Sequence, residues 1–287
     1  MRDLDENTLT DETLRAVSGG SSPRVRQVSQ ALIRHLHAFI REVEPSQAEW
    51  DYGIDFLTRV GHMCSDVRQE FVLLSDTLGV SMLVDAINHR KPEGATETTV
   101  LGPFFVDGRP ELPLGANMSN GVAGTPLYIS GTVRDMAARP LAGAAVDCWH
   151  SDEEGSYDVQ RSAELTMRAR FRADDEGRFW FWSVRPRYYP IPNDGPVGDM
   201  LAAQGRHPFR PEHVHFMIAA PGFETLITHV FIDGDPYLDS DVVFGVKNSL
   251  VTRYRQCEAG TAPDGSVVAV PYLALDYDFV LAPGTKG

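Results

Sequence analysis

The chain has little cysteine and no paired cysteine motif. Cys64, Cys148 and Cys257 are widely spaced among 287 residues, and no C-x-x-C occurs. An odd, scattered set suits reduced thiols, so each reads as a small buried apolar residue and no disulfide framework is expected. No apolar run approaches the roughly 20 residues needed to cross a bilayer. The N-terminus, Met1-Arg2-Asp3-Leu4-Asp5-Glu6, is acidic and lacks the apolar stretch of a signal peptide. A long basic run is also missing. With 26 Lys and Arg against 40 Asp and Glu, the formal net charge is −14, which argues against nucleic acid or an anionic membrane as a partner. A soluble cytoplasmic protein is expected. The length fits one large domain, or one domain with a helical extension.

What is present changes character along the chain. Residues 1–22 end in Gly19-Gly20-Ser21-Ser22, a flexible lead-in. From Pro23 to Arg41 the apolar residues Val25, Val28, Leu32, Leu36, Phe39 and Ile40 fall at helical spacing. Ser46 and Glu49 stand in capping-box register for a second helix carrying Trp50, Ile54, Leu57 and Val60. A third helix is expected from Asp66 through Phe71, Leu74 and Leu78, and a fourth after Gly79, stopping near His89. Beyond Lys91-Pro92-Glu93-Gly94, Gly and Pro become frequent and the apolar runs are short. Leu127–Val133, Ala145–Trp149, Phe179–Val184, His213–Ala219 and Ile227–Ile232 read as strands. Asp175-Glu176-Gly177 and Asp233-Gly234-Asp235 are hairpin or loop signals. The expected architecture is a helical region over 1–96 followed by a mainly β, antiparallel β-sandwich domain over 97–287.

The chemistry concentrates in three stretches. In Arg210-Pro211-Glu212-His213-Val214-His215-Phe216, the two histidines are two residues apart on a strand. They share one face, with Cα atoms about 7 Å apart, and both can reach one metal ion. Alone, the pair is better read as two partly exposed strand histidines. The second stretch is Asp147-Cys148-Trp149-His150-Ser151-Asp152 with Gly155-Ser156-Tyr157. The third is Tyr188-Tyr189-Pro190-Ile191-Pro192-Asn193-Asp194-Gly195-Pro196, where Pro restricts the backbone around a tyrosine. A single tyrosine is most often a packing residue whose hydroxyl finds a partner.

Taken together, D-x-W-H-x-D…G-x-Y, Y-P-I-P-x-D-G-P and R-P-x-H-V-H-F resemble the intradiol ring-cleavage dioxygenases, and the resemblance covers nearly the whole chain. It implies one non-haem Fe(III) per subunit, held by Tyr157, Tyr189, His213 and His215. Tyr188 is the competitor for Tyr189, which directly precedes Pro190-Ile191-Pro192. Phenolate is a hard anionic donor that suits a trivalent ion. The family's roles would make Tyr189 a proton acceptor and Arg210 an electrostatic stabiliser of the ring. The competing reading of Arg210 is an ion pair with Glu212 or Asp199. His229 departs from the Gln that catechol-cleaving members carry beside the site. It is either a hydrogen-bonding neighbour of the metal ligands or a strand histidine with its own partners.

By family position the substrate pocket is lined by Leu73, Asp76, Val100, Leu101, Gly102, Pro103, Phe104, Ile191, Pro192 and Val243. Asp76 can accept a hydrogen bond from a third ring hydroxyl, which favours hydroxyquinol over catechol or chlorocatechol as substrate, with O2 as co-substrate. A cap or turn role for Asp76 beside Gly79 competes with this. The product would be maleylacetate, through its enol 3-hydroxy-cis,cis-muconate. The resemblance also implies a homodimer through the N-terminal helices, with a lipid at that interface. A non-catalytic β-sandwich binding module is the reading from a different class.

Overall fold

The computed structural model describes residues 2–65, 68–161 and 164–284. Two compact units are distinguished, Met1–Arg59 and Val60–Gly287. In the first, α1 (Leu9–Ala16) precedes the long α2 (Pro23–Val43). The Ser22 hydroxyl accepts a hydrogen bond from the Val25 amide and Pro23 opens the helix, so an otherwise unpaired donor is satisfied at its start. Arg41 of α2 reaches the Thr10 hydroxyl of α1 at 2.5 Å. The next helix, α3 (Gln47–His62), opens on the expected capping box, with Ser46 and Glu49 bonding each other's amides.

The third expected helix is α4 (Glu70–Thr77); its anticipated start at Asp66 lies outside the described residues. Gly79 then leads into α5 (Val80–Asn88). No helix among the described residues is long and apolar enough to cross a membrane.

The strands are β1 (Pro126–Asp135), β2 (Ala145–Trp149), β3 (Arg168–Arg172), β4 (Arg178–Val184), β5 (Tyr189–Pro190), β6 (Phe209–Arg210), β7 (His213–Ala219) and β8 (Leu226–Ile232). After them come β9 (Val251–Thr252), β10 (Arg255–Cys257), β11 (Gly260–Thr261), β12 (Val267–Val268), β13 (Tyr272–Asp276) and β14 (Phe279–Leu281). A sixth helix, α6 (Pro196–Ala203), lies between β5 and β6. One sheet runs β3-β2-β7-β8-β9. In the other, β1 pairs with β4 on one side and with β13 and β14 on the opposite side, and β10 joins β13.

The sandwich is mixed, which corrects the antiparallel expectation. β13 and β14 run parallel to β1, and β9 runs parallel to β8. Alternation of apolar residues reports which face a strand buries, not the direction of its neighbour. Gly131 lies where β1 passes from β13 to β14; a Cβ there would meet the Tyr277 carbonyl oxygen at 1.9 Å, so only glycine fits. The two turn signals close no hairpin. Asp175-Glu176-Gly177 carries the chain from β3 in one sheet to β4 in the other.

The sheets bury their facing residues in one core. Leu127, Ile129, Phe179, Phe181 and Phe279 meet Val146, Cys148, Phe171, Val214, Phe216 and Val230. Truncating Phe216, which is fully buried, would cost about 3–5 kcal/mol. Of the cysteines only Cys148 is buried; Cys64 and Cys257 are partly exposed, unlike the expectation for all three.

Because side chains alternate, the even-numbered residues of β7 enter this core and the odd-numbered ones, His213 and His215, emerge on the outer face of the sheet. Directly paired positions share that face. Arg168, Trp149, His215 and His229 therefore form one row across β3, β2, β7 and β8.

Candidate metal centre and active site

Four donor side chains converge over this outer face. The His215 Nε2 lies 2.9 Å from the Tyr157 hydroxyl and 3.2 Å from the His213 Nε2. The Tyr157 hydroxyl is 3.5 Å from both the Tyr189 hydroxyl and the His213 Nε2. All four side chains are buried.

Local structure explains each placement. Asp152 ties down the turn after β2 by accepting from the amides of Glu154 and Ser156, and the Gln160 side chain accepts from the Tyr157 amide at 2.8 Å. The short β5–β6 ladder pairs Tyr189 directly with Arg210, three residues before His213. His213 Nδ1 is 2.7 Å from the Pro211 carbonyl, so that nitrogen carries the proton and Nε2 presents a lone pair to its neighbours.

Burial fixes the charge states. It pushes the His213 pKa well below the usual range, helped by the Arg210 guanidinium, and that of His215 likewise, helped by His213. Burial raises both tyrosines, and Arg210 opposes the rise at Tyr189. A cation would reverse that trend by favouring phenolate. Two imidazole nitrogens and two hydroxyls, each within 3.5 Å of another of the four, fit a metal ion with two oxygen and two nitrogen donors.

Arg210 is buried and points Nη1 at the His213 Nε2, 3.4 Å away. Its partner is Asp241, bonded through Nε at 3.1 Å and Nη2 at 3.2 Å. This corrects the expected alternatives. Glu212 instead bonds Arg185 and Tyr254.

A family model described as "Dioxygenase" matches residues 100–283, and one described as "Catechol dioxygenase N terminus" matches residues 22–96. The chain belongs to the intradiol ring-cleavage dioxygenases. It is 48% identical over 285 residues to the 6-chlorohydroxyquinol 1,2-dioxygenase of Cupriavidus pinatubonensis, covering 99% of each chain. It is also 48% identical over 280 residues to the hydroxyquinol 1,2-dioxygenase of Nocardioides simplex, covering 97% of this chain and 96% of that protein. Among solved structures, the hydroxyquinol 1,2-dioxygenase of Pseudomonas putida DLL-E4 superposes with a TM-score of 0.93 at 47% identity, covering 97% of this chain and 99% of that one.

In this dioxygenase Tyr188 lies apart from the four donors, its ring 5.0 Å from Tyr237 and 5.9 Å from Phe209. Of the other residues named from sequence, Leu73, Asp76, Ile191 and Val243 are buried, Val100, Leu101, Gly102, Phe104 and Pro192 are half-buried, and Pro103 is exposed on its loop. Phe104 stacks on Tyr157 with ring centroids 4.3 Å apart. Gly102 sits against His215 in the left-handed region, at φ +78°. Asp76 lies in the last turn of α4. Burial raises its pKa, a bond from Ser81 opposes this, and the charges of Arg210 and Asp241 both reach it.

His229 lies edge-on to His215, with centroids 4.1 Å apart. Nitrogens of His213, His215 and His229 lie within 4.8 Å of one another, and both ring nitrogens of His229 are buried without a hydrogen-bond partner. Both expected readings of His229, a hydrogen-bonding neighbour of the ligands and a strand histidine with its own partners, are therefore corrected; it touches the site through ring contact alone.

Sequence reasoning gave no role to Asp241, Asp158, Arg168 or Trp149. Trp149 stacks on His215 at 4.7 Å and 16°. For Trp149 a signal existed, since it stands inside the D-x-W-H motif. Asp241 stands in no such pattern.

Proposed function

We propose that this chain holds one ferric ion through Tyr157, Tyr189, His213 and His215 and opens hydroxyquinol with O2 between its two adjacent hydroxylated carbons, yielding 3-hydroxy-cis,cis-muconate, the enol of maleylacetate. The observation that carries the reading is the convergence of two tyrosine oxygens and two histidine nitrogens, each within 3.5 Å of another of the four. The substrate choice is supported by relatives named for hydroxyquinol and by the buried carboxyl of Asp76.

A ferric ion held by Tyr157, Tyr189, His213 and His215 would supply Lewis acidity toward the hydroxylated edge of the ring. The chain's residues do the rest. Tyr189, beside Arg210 on the β5–β6 ladder, accepts a hydroxyl proton from the incoming ring. Arg210, held by Asp241, faces the developing negative charge. Asp76 accepts a hydrogen bond from the third hydroxyl, and a site built for that hydroxyl disfavours a ring without it. Leu101, Phe104 and Phe105 pack against Trp149, Tyr157 and Tyr189 and exclude water.

The same reading includes a homodimer. Val25, Val28, Leu32, Leu36 and Phe39 leave an exposed apolar stripe along α2, of the kind that pairs with a second copy. Iron-loaded protein should be red to purple from tyrosinate-to-iron charge transfer and should turn over hydroxyquinol well above catechol. Colourless iron-treated protein would overturn the metal site, and catechol turnover equal to or above that of hydroxyquinol would overturn the substrate.

A further inference from the structure

Arg168 ends the row that crosses the sheet from His229 through His215 and Trp149. It is buried, and all three of its guanidinium nitrogens are engaged. Nε donates to the Asp158 carboxylate at 2.5 Å and Nη2 donates to its other oxygen. Nη1 donates to the Phe104 carbonyl at 2.9 Å. Asp158 directly follows Tyr157, and its carboxylate also accepts from the amides of Val159 and Thr166 at 2.8 and 3.1 Å. The circuit closes through the rings, because Phe104 stacks on Tyr157 at 4.3 Å and 22°.

The geometry points to Arg168 as a positioning residue that locks the Tyr157 segment and the 100–104 loop into one unit. Stacking alone lets two rings slide. The carbonyl bond removes that freedom, because it fixes the loop backbone to the same guanidinium that fixes Asp158. A buried ion pair is a poor source of net stability compared with apolar packing of equal volume, so geometric specification is the stronger account of its use here. Lysine cannot replace it, because an ammonium on a flexible stem lacks the planar fork that serves a carboxylate and a carbonyl together. The inference rests on the reading of Tyr157 as a metal ligand and of the 100–104 loop as a pocket wall.

The test compares wild type, Arg168→Lys and Tyr157→Phe as iron-loaded full-length proteins. The readouts are iron content, the visible tyrosinate band, and KM and kcat for hydroxyquinol, with a thermal melt to establish folding. Arg168→Lys should bind iron, displace the band maximum, raise KM and lower kcat/KM about 10–100-fold. A folded Arg168→Lys with wild-type band and KM overturns the proposal, whatever its melting temperature. If that variant does not fold, Asp158→Asn breaks the same fork from the other side and is read in the same way. A wild-type band in Tyr157→Phe removes the ligand reading and the clamp with it. A band altered in Tyr157→Phe, with both band and KM unchanged in Arg168→Lys, removes the clamp alone.

Discussion

Asp241 grips Arg210 in a two-pronged buried ion pair, Nε to Oδ1 at 3.1 Å and Nη2 to Oδ2 at 3.2 Å, which leaves Nη1 directed at His213. The carboxylate is itself anchored, since Oδ2 accepts from the Gly245 amide at 2.9 Å. A side chain at Gly245 would press on the Arg210 Nη2 at 3.0 Å. Asp241 thus acts on the site through the guanidinium. Arg210→Met should lower kcat about 10²–10³-fold with iron content retained. Asp241→Asn should fall by less, and the double variant no further than Arg210→Met alone, because the two act as one unit. Steady-state kinetics beside an iron assay check this; additive losses would show that Asp241 acts independently.

Gly102→Ala should weaken iron binding. A Cβ there would stand 3.0 Å from the His215 Cε1, on backbone at φ +78° that an L side chain rarely adopts. The loop and the imidazole cannot both stay in place. Competition against a chelator should show an affinity loss of about tenfold or more.

Asp76→Ala should erode the preference for a third hydroxyl more than catalysis itself. A hydrogen bond to a charged acceptor is worth about 1.5–3 kcal/mol, so kcat/KM for hydroxyquinol should drop roughly 10–100-fold relative to catechol. Equal losses on both substrates would make Asp76 a structural residue of α4.

His150 predicts a pH dependence of stability. Its ring is buried between the Ser151 carbonyl at 2.6 Å and the Ser183 hydroxyl at 2.7 Å, and burial lowers its pKa to about 4. The unfolded chain, titrating near 6.5, binds the proton first. Stability from this group is therefore complete above about pH 6.5 and is lost as the pH falls toward 4, by about 3 kcal/mol in all. Urea midpoints of wild type should decline between pH 7 and 4.5 more steeply than those of His150→Gln; parallel declines would exclude the effect.

The sandwich strands were legible because short apolar runs alternate and end at Gly and Pro. Ala145–Trp149 and His213–Ala219 fall where the pattern put them. Strand direction was not legible, since β1 shows the same alternation beside parallel β13 as it would beside an antiparallel partner. The His213 and His215 pair was legible from its spacing on one strand, whereas Tyr157 and Tyr189 were legible only through the resemblance their motifs carry, since the Tyr189 placement depends on its ladder with Arg210. Asp241 and Arg168 were not, because their partners are 31 and 10 residues away and nothing local marks the pairing. His229 could be seen to depart from its family's pattern, but its lack of partners is a property of the packed sheet alone.

β7 serves two environments at once, apolar residues inward and imidazoles outward. Inserting or deleting one residue within it would exchange the two sets, sending His213 and His215 into the oily interior and Val214 and Phe216 out toward the tyrosines. The strand therefore tolerates substitution only at constant length. A change of ring preference is then left to the side chains laid over that face, around Asp76, Val100–Phe104 and Ile191.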